Sequence, residues 1–449
     1  MRIRAHYVVT LGLCFHNKCF LLRDSAFIFL FFISLSYDPL IIRREGERAE
    51  ALRTCDCVCR SLAGSSVRVN LRILRRCGFY RARSSSRRAS LRAAHRALTL
   101  ALTTLYLAQE FVYAYQERAD MDKLARVMFL LLCHVTSLVK QLVFYVDADR
   151  INRMIDSLDA GMVSRPAAPL YNSLRSRRLL EATARRAGLL ARVYPGAAVV
   201  TCTLWAVFPV LHHAHSRAVH FPFWVGLDYS QDYKFWIVLL YSYYVTTLVG
   251  IANTTMDAFI ATILNQSKTQ LRILRMSLEE LPERARAAAR PGEPLERALH
   301  RLFRDCLTHY SLICQGVKTL QDIFGWAILV QFGIGGWILC MAAYQIVSLS
   351  VLSIEFASMT LFICCILTEL FLYCFYGNEV ASGRVVESVY CMRWEACTPR
   401  FRRALLVLME RAHRPLAPAA GLVVPLSLNT FLKIIKSSYT FYAVLRQTK

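Results

Sequence analysis

Apolar residues in this chain come in blocks separated by charged segments. Seven blocks lie at about 97–115, 124–146, 189–211, 235–264, 322–347, 350–376 and 427–447. Each is close to 20 residues or longer, the length at which a helix rising 1.5 Å per residue crosses a bilayer. The pattern predicts seven spanning helices. The fourth runs on past Asp257 into a polar helical continuation at 265–281, and a separate amphipathic helix at 295–320 precedes the fifth. A polar helical stretch at 379–414, ended by Pro415, parts the sixth from the seventh. Pro195 and Pro209 are expected to soften the third.

The seventh block has a pattern of its own. Asn429, Lys433, Lys436/Ser437, Thr440 and Gln447/Thr448 recur every three or four residues, with Val444 filling the remaining step. A period of 3.6 places them on one helix face. Phe431, Leu432, Ile434, Ile435, Tyr439, Tyr442 and Leu445 lie largely off it. Such a stripe must face protein or water, not lipid. Two accounts stay open on pattern alone: the wall of a pore, or a packed helix whose polar groups bond to its neighbours.

Composition narrows the class. The 449 residues are 55% hydrophobic and only 19% charged, with a mean hydropathy of +0.35. That excludes a soluble two-domain chain and predicts an all-α polytopic membrane protein. A net charge of +24 invites nucleic acid as partner. The arginines, however, flank apolar blocks, which the positive-inside rule explains without nucleic acid. Segments 1–96, 147–192, 265–320 and 377–415 carry 19, 9, 10 and 7 Lys and Arg, whereas 116–123 and 212–234 carry two each and 348–349 none. The first set is therefore cytosolic, the N-terminus is inside and the C-terminus outside. This orientation is inverted relative to a G-protein-coupled receptor. Residues 71–96 form a basic amphipathic segment suited to a cytosolic membrane surface. Long inner segments predict a helical bundle below the membrane.

No catalytic constellation is present: P-loop, HExxH and GxSxG patterns are absent, so no enzyme and no cofactor are expected. Cys55, Cys57 and Cys59 lack a second ligand pair at finger spacing, and His212, His213, His215 and His220 lack a nearby carboxylate or thiol, so no metal is expected either. The 16 cysteines show no disulfide framework. Gly333, Gly335 and Gly336 are expected to let helices approach closely. Lys140, Asp257 and Glu369 sit in the inner halves of three spans, where charges pair, and Glu110 lies in the outer half of the first. Trp205, Phe208, Phe235, Trp236, Tyr243 and Phe356 crowd the outer halves of the third, fourth and sixth spans. Phe235 and Trp236 also fit an interfacial belt. A pocket among these spans and the second would suit a small, volatile, lipophilic ligand.

From Tyr373 onward the chain resembles the C-terminal region of insect odorant receptors. The resemblance is carried by Gly377-Asn378-Glu379, by Tyr390 to Trp394, and by Pro415-Leu416 with Gly421. Ser427-Leu428 followed by Phe431, Lys436 and Ser438-Tyr439-Thr440 carries it to the end. The stretches 72–81, 121–134 and 256–281 also fit, and the ligand-tuned receptors of moths and butterflies are the nearer likeness. The resemblance implies a ligand-tuned subunit that joins the odorant co-receptor in a heterotetrameric, non-selective cation channel of the sensory-neuron dendrite's plasma membrane, bathed by membrane lipid. It implies six helices with a ligand pocket over 97–376, lined by Phe129, Trp205, Phe208, Trp236, Tyr243, Phe356 and Met359. It further implies a cytosolic anchor over 377–426 and a pore-lining helix over 427–449. Gate and filter positions fall on Val444, Gln447 and Thr448, with Thr440 on the same stripe. Thr448 stands where the co-receptor commonly carries an apolar residue. Lys433 and Lys436 are expected to snorkel to the cytosolic mouth or to aim at a neighbouring subunit. Residues 1–70 have no counterpart and are expected to be a mis-joined leader; the next methionine is Met121. A gustatory receptor channel of the same inverted topology is the alternative, and a G-protein-coupled receptor a more distant one.

Overall fold

The computed structural model describes residues 67–81, 89–161, 174–215, 219, 221–226, 231–289, 291–350, 353–381, 384–414 and 416–447. The Cys55–Cys59 cluster, His220, Pro415 and Thr448 lie outside the described residues.

The fold is helical. A helix at 67–76, α1, buries Val67, Asn70 and Leu74, spaced three and four apart, so the described fold begins inside the stretch assigned to the leader. Then come α2 (Ala89–Gln116), α3 (Met121–Val146), α4 (Ala148–Gly161), α5 (Leu174–Ala214) and α6 (Asp232–Glu279). Next are α7 (Leu281–Ala288), α8 (Leu295–Ser348), α9 (Ile354–Ala381), α10 (Val385–Cys391) and α11 (Pro399–His413). A two-stranded hairpin, β1 (Ala419–Ala420) with β2 (Val424–Pro425), leads to α12 (Leu428–Gln447). Each of the seven predicted blocks falls on a helix, the sixth on one that opens at Ile354. Among the described residues, α3, α5, α6, α8 and the helix opening at Ile354 are long and apolar enough to cross a membrane. The first and last, α2 and α12, have the length at 28 and 20 residues but carry more polar positions.

Local chemistry explains the breaks. The Asp120 side chain accepts from the amides of Asp122 and Lys123 at 3.0 and 3.1 Å and starts α3. No proline interrupts 295–348, so the predicted amphipathic helix and the fifth span are one 54-residue rod, about 80 Å long. By contrast, the polar stretch at 379–414 is not one helix. Arg384 sits at φ 46, a 3-10 turn spans Trp394–Ala396, and Thr398 caps α11 by accepting from the Phe401 amide at 3.4 Å. Neither proline breaks α5.

The inner bundle is built around α6, which is buried at every position from 252 to 267. Polar bridges tie the anchor to it: Lys268 pairs with Glu379 at 3.0 Å, and Arg275 Nε donates to Ser388 Oγ at 2.9 Å, which donates to Glu279 at 2.7 Å. The hairpin is wedged against two helices. Gly421 N–H donates to the Gly325 carbonyl of α8 at 2.8 Å, and a Cβ on Gly377 of α9 would meet the Leu426 carbonyl at 2.7 Å. Thr430 Oγ1 then donates to the Pro425 carbonyl at 2.7 Å and sets the start of α12.

His309 lies buried on the inner part of α8, where burial pushes its imidazole from 6.5 down to about 4. Above 6.5 the ring is neutral in both folded and unfolded chains. As pH falls from 6.5 towards 4 only the unfolded chain takes the proton, so stability is lost across that window. Acidification from about pH 7.5 to about pH 5 is expected to cost about 2 kcal/mol through this group. Unfolding midpoints of detergent-solubilised protein across that range, compared with His309→Phe, check it. An identical pH slope in the variant would remove His309 as the cause.

Candidate functional site

Three helices bring aromatic rings together in the upper half of the fold. Phe129 on α3 meets Trp205 on α5 with centroids 5.9 Å apart and Phe362 on α9 at 5.3 Å, and Trp205 meets Phe362 at 5.4 Å. Phe356, Met359 and Phe362 follow one another at three-residue spacing on α9 and are all buried. A helix places such residues on one face, and that spacing was the signal by which Phe362 could have been found. The other predicted residues sit around this trio in different ways. Phe208 packs on the His212 ring at 4.2 Å. Tyr243 is half-buried, its hydroxyl 3.2 Å from Thr203 Oγ1. Trp236 is 45% exposed and turns its edge to His213 and Phe235, outside the trio. Phe235, assigned in part to an interfacial belt, is instead buried, because it stacks on His213 at 4.0 Å and packs against Phe221 of the outer loop.

A second outer cluster was not legible in the sequence. His134 Nδ1 lies 2.8 and 2.9 Å from the carboxylate oxygens of Glu110, and Glu110 is fully buried. Tyr106 touches the rings of His134, Phe223 and Tyr241, and its hydroxyl is 3.1 Å from Ser242 Oγ. Tyr241 donates to Gln109 Oε1 at 2.9 Å. These helices thus hold more polar groups than the block pattern indicated, because α2 meets α3 and α6 through Glu110, Gln109 and Tyr106, while Phe221 and Phe223 pack the loop against Tyr106 and Phe235.

Below the aromatic trio the three charges expected to pair do so. Lys140 Nζ donates to Asp257 Oδ1 at 2.6 Å and to Glu369 Oε1 at 2.7 Å, and Tyr373 donates to the same Asp257 oxygen at 2.5 Å. All three charged side chains are 2% exposed or less. They join α3, α6 and α9, and α3 and α9 also carry two of the trio's three rings.

The terminal helix has two unlike sides. Thr430, Phe431 and Ser438 are buried. Gly336 lets Ser438 Oγ come within 3.5 Å of where its Cβ would be, Gly335 abuts Leu370 at 3.4 Å, and Gly333 faces open space. At 3.4 and 3.5 Å an added methyl would make ordinary contact, so the packing does not itself require glycine at these positions. Trp337 stacks on Phe441 at 4.9 Å, and Phe431 meets Phe371. On the opposite side Asn429, Lys433, Lys436, Ser437, Thr440, Val444 and Gln447 are all exposed.

A family model described as 7tm Odorant receptor matches residues 120–439, more than half of the chain. This chain belongs to the odorant receptor family. Putative odorant receptor 92a of Drosophila melanogaster is 31% identical over 133 residues, 29% of this receptor and 32% of that protein. Odorant receptor 94a of the same species is 25% identical over 229 residues, covering 50% and 57%. The receptor thus spans from about a third to a little over half the length of these relatives. Odorant receptor Or1 of Anopheles gambiae is 22% identical over 373 residues, 78% of this receptor and 87% of that protein. Among solved structures, the insect olfactory receptor OR5 from Machilis hrabei superposes with a TM-score of 0.72 at 16% identity, covering 85% of this receptor and 97% of that chain. Its complex with eugenol gives 0.73 at 15% identity, covering 87% and 100%. At such identity the likeness shows the fold. The receptor is a multi-pass membrane protein of a non-enzymatic family.

The histidine loop differs from expectation. His213 Nε2 is 3.2 Å from Asp232 Oδ1, a carboxylate brought in from the start of α6, 19 residues further along the chain. Sequence distance hid it. Among the described residues no group of three or more His, Cys, Asp and Glu side chains could hold a metal ion.

Proposed function

We propose that this receptor is the ligand-tuned subunit of an odorant-gated, non-selective cation channel, joined with the odorant co-receptor in a heterotetramer at the plasma membrane of the sensory dendrite. Seven spans with the N-terminus inside complete the reading. The observation that carries it is the two-sidedness of α12: its polar stripe is exposed from Asn429 to Gln447 while its other side is packed against α8 and α9. A spanning helix with a wet face needs an aqueous partner, and a pore shared among subunits supplies one. Thr440, Val444, Gln447 and Thr448 are assigned to its outer part, with Val444 the gate. The eugenol complex of the Machilis receptor supports a small lipophilic ligand for this chain too. The pocket is assigned to Phe129, Trp205, Phe208, Trp236, Tyr243, Phe356 and Met359, with Phe362 added by the aromatic trio.

Binding shifts a closed–open equilibrium by as much as the ligand prefers one state. The packed contacts of Gly336 with Ser438 and of Trp337 with Phe441 carry movement of α8 into α12. Co-expression with the co-receptor is expected to give odorant-evoked current that the co-receptor alone does not give. Within that assay Phe362→Ala is expected to raise the half-maximal odorant concentration about tenfold. Gln447→Arg should instead lower cation permeability and leave that concentration within about twofold. No current from a surface-delivered complex across a broad volatile panel would end the channel reading. So would a Gln447 variant that alters only odorant potency.

A further inference from the structure

A cavity of about 340 Å³ opens between the inner part of α8 and the C-terminal end of α11, where the hairpin begins. Lys318, Arg411 and Arg414 line it, against one acidic side chain, Asp322. None of the three cations is in an ion pair within the described structure, so the cleft carries two uncompensated positive charges. Tyr310 adds a hydroxyl to the same wall. The depth is informative. Asp322 opens the fifth apolar block, and the hairpin docks on α8 one turn above it at Gly325. The cleft therefore lies where the arginine-rich extensions meet the hydrocarbon boundary, at headgroup level. Its lip is apolar: Leu422, at the hairpin tip, lines the cavity, is 75% exposed and is held in the left-handed conformation at φ 65. A non-glycine residue kept there costs free energy and marks a position over-determined by its surroundings.

We propose that this cleft binds an inositol-phosphate headgroup. Guanidinium forks suit phosphate oxygens in pairs, a lysine adds a point charge, and a volume of this size suits a small polar ligand. The same headgroup can come from a phosphoinositide in the inner leaflet or from a soluble inositol phosphate; the exposed Leu422 beside the cations offers contact for an acyl chain in the first case.

The test uses the full chain in phosphatidylcholine nanodiscs. Three arms add phosphatidylinositol bisphosphate, phosphatidylserine at matched charge, or soluble inositol trisphosphate, and bound ligand is measured directly. Arg411→Gln with Arg414→Gln is expected to weaken phosphoinositide binding at least about tenfold. Arg400→Gln with Arg403→Gln removes the same charge from the same helix without lining the cleft, and is expected to change binding less than about twofold. Lys318→Gln, a single exposed substitution, gives a second reading should the double variant fold poorly. Inositol trisphosphate binding as tightly as the lipid would assign the cleft to the soluble ligand; preference for the lipid would assign it to the leaflet. Equal loss in cleft and control variants, or displacement by phosphatidylserine at matched charge, would overturn the site and leave only general surface attraction.

Discussion

Lys140→Met is expected to leave little folded receptor at the cell surface. The ammonium group is shared by Asp257 and Glu369 at 2.6 and 2.7 Å, and all three side chains are 2% exposed or less. Removing it leaves two carboxylates facing each other with only the Tyr373 hydroxyl to help Asp257. Breaking a buried ion pair from one side costs about 3–5 kcal/mol, a large part of an ordinary domain's 5–15 kcal/mol. The attraction among the three groups is not itself a large net gain, since their desolvation opposes it. The loss comes from stranding charge. Neutralising the partners as well, with Asp257→Asn and Glu369→Gln, is therefore expected to recover most of the loss. Surface labelling and unfolding midpoints in detergent would show both effects. A Lys140→Met receptor with wild-type surface level and midpoint would refute the account.

The second large effect is expected from Gly377→Ala. The added methyl would sit 2.7 Å from the Leu426 carbonyl, a backbone atom of the segment that leads into α12. Backbone cannot swing aside as a side chain can, so α9 and the hairpin must separate. Overpacking of this kind costs about 1–3 kcal/mol, at times more. Gly335→Ala is the matched control, because its methyl would meet the Leu370 side chain no closer than 3.4 Å, an ordinary contact with the end of a flexible side chain. The first variant should lower the unfolding midpoint and the odorant-evoked current, and the second should change both little. Equal behaviour of the two would show that the hairpin is not wedged.

These two sites differ in how far they could be read beforehand. Lys140, Asp257 and Glu369 announce themselves, since a charge inside an apolar block must find partners and only three lie at matching depth. Gly377 and Gly421 are marks of family resemblance in the sequence; their physical role needs the hairpin, which two-residue strands leave no pattern to predict. Glu110 and His134 pair 24 residues apart through the α2–α3 turn, and His213 with Asp232 likewise. Neither pairing has a periodic trace, because loop geometry sets it.

Hydrophobic blocks, their lengths and the arginine counts determined by themselves that the chain is a helical membrane protein and where each apolar block lies. They also marked the stripe from Asn429 to Gln447, because helical period is a local property. Tertiary structure alone decided which side of that helix is packed. The stripe marks the polar side, but only the placement of Gly336, Trp337 and Phe371 on neighbouring helices selects Ser438, Phe441 and Phe431 as the contacts. It also decided that Phe362 joins Phe129 and Trp205, and that Trp236 does not. Which rings meet depends on the rotation of helices far apart in the chain, and hydropathy carries no record of that angle.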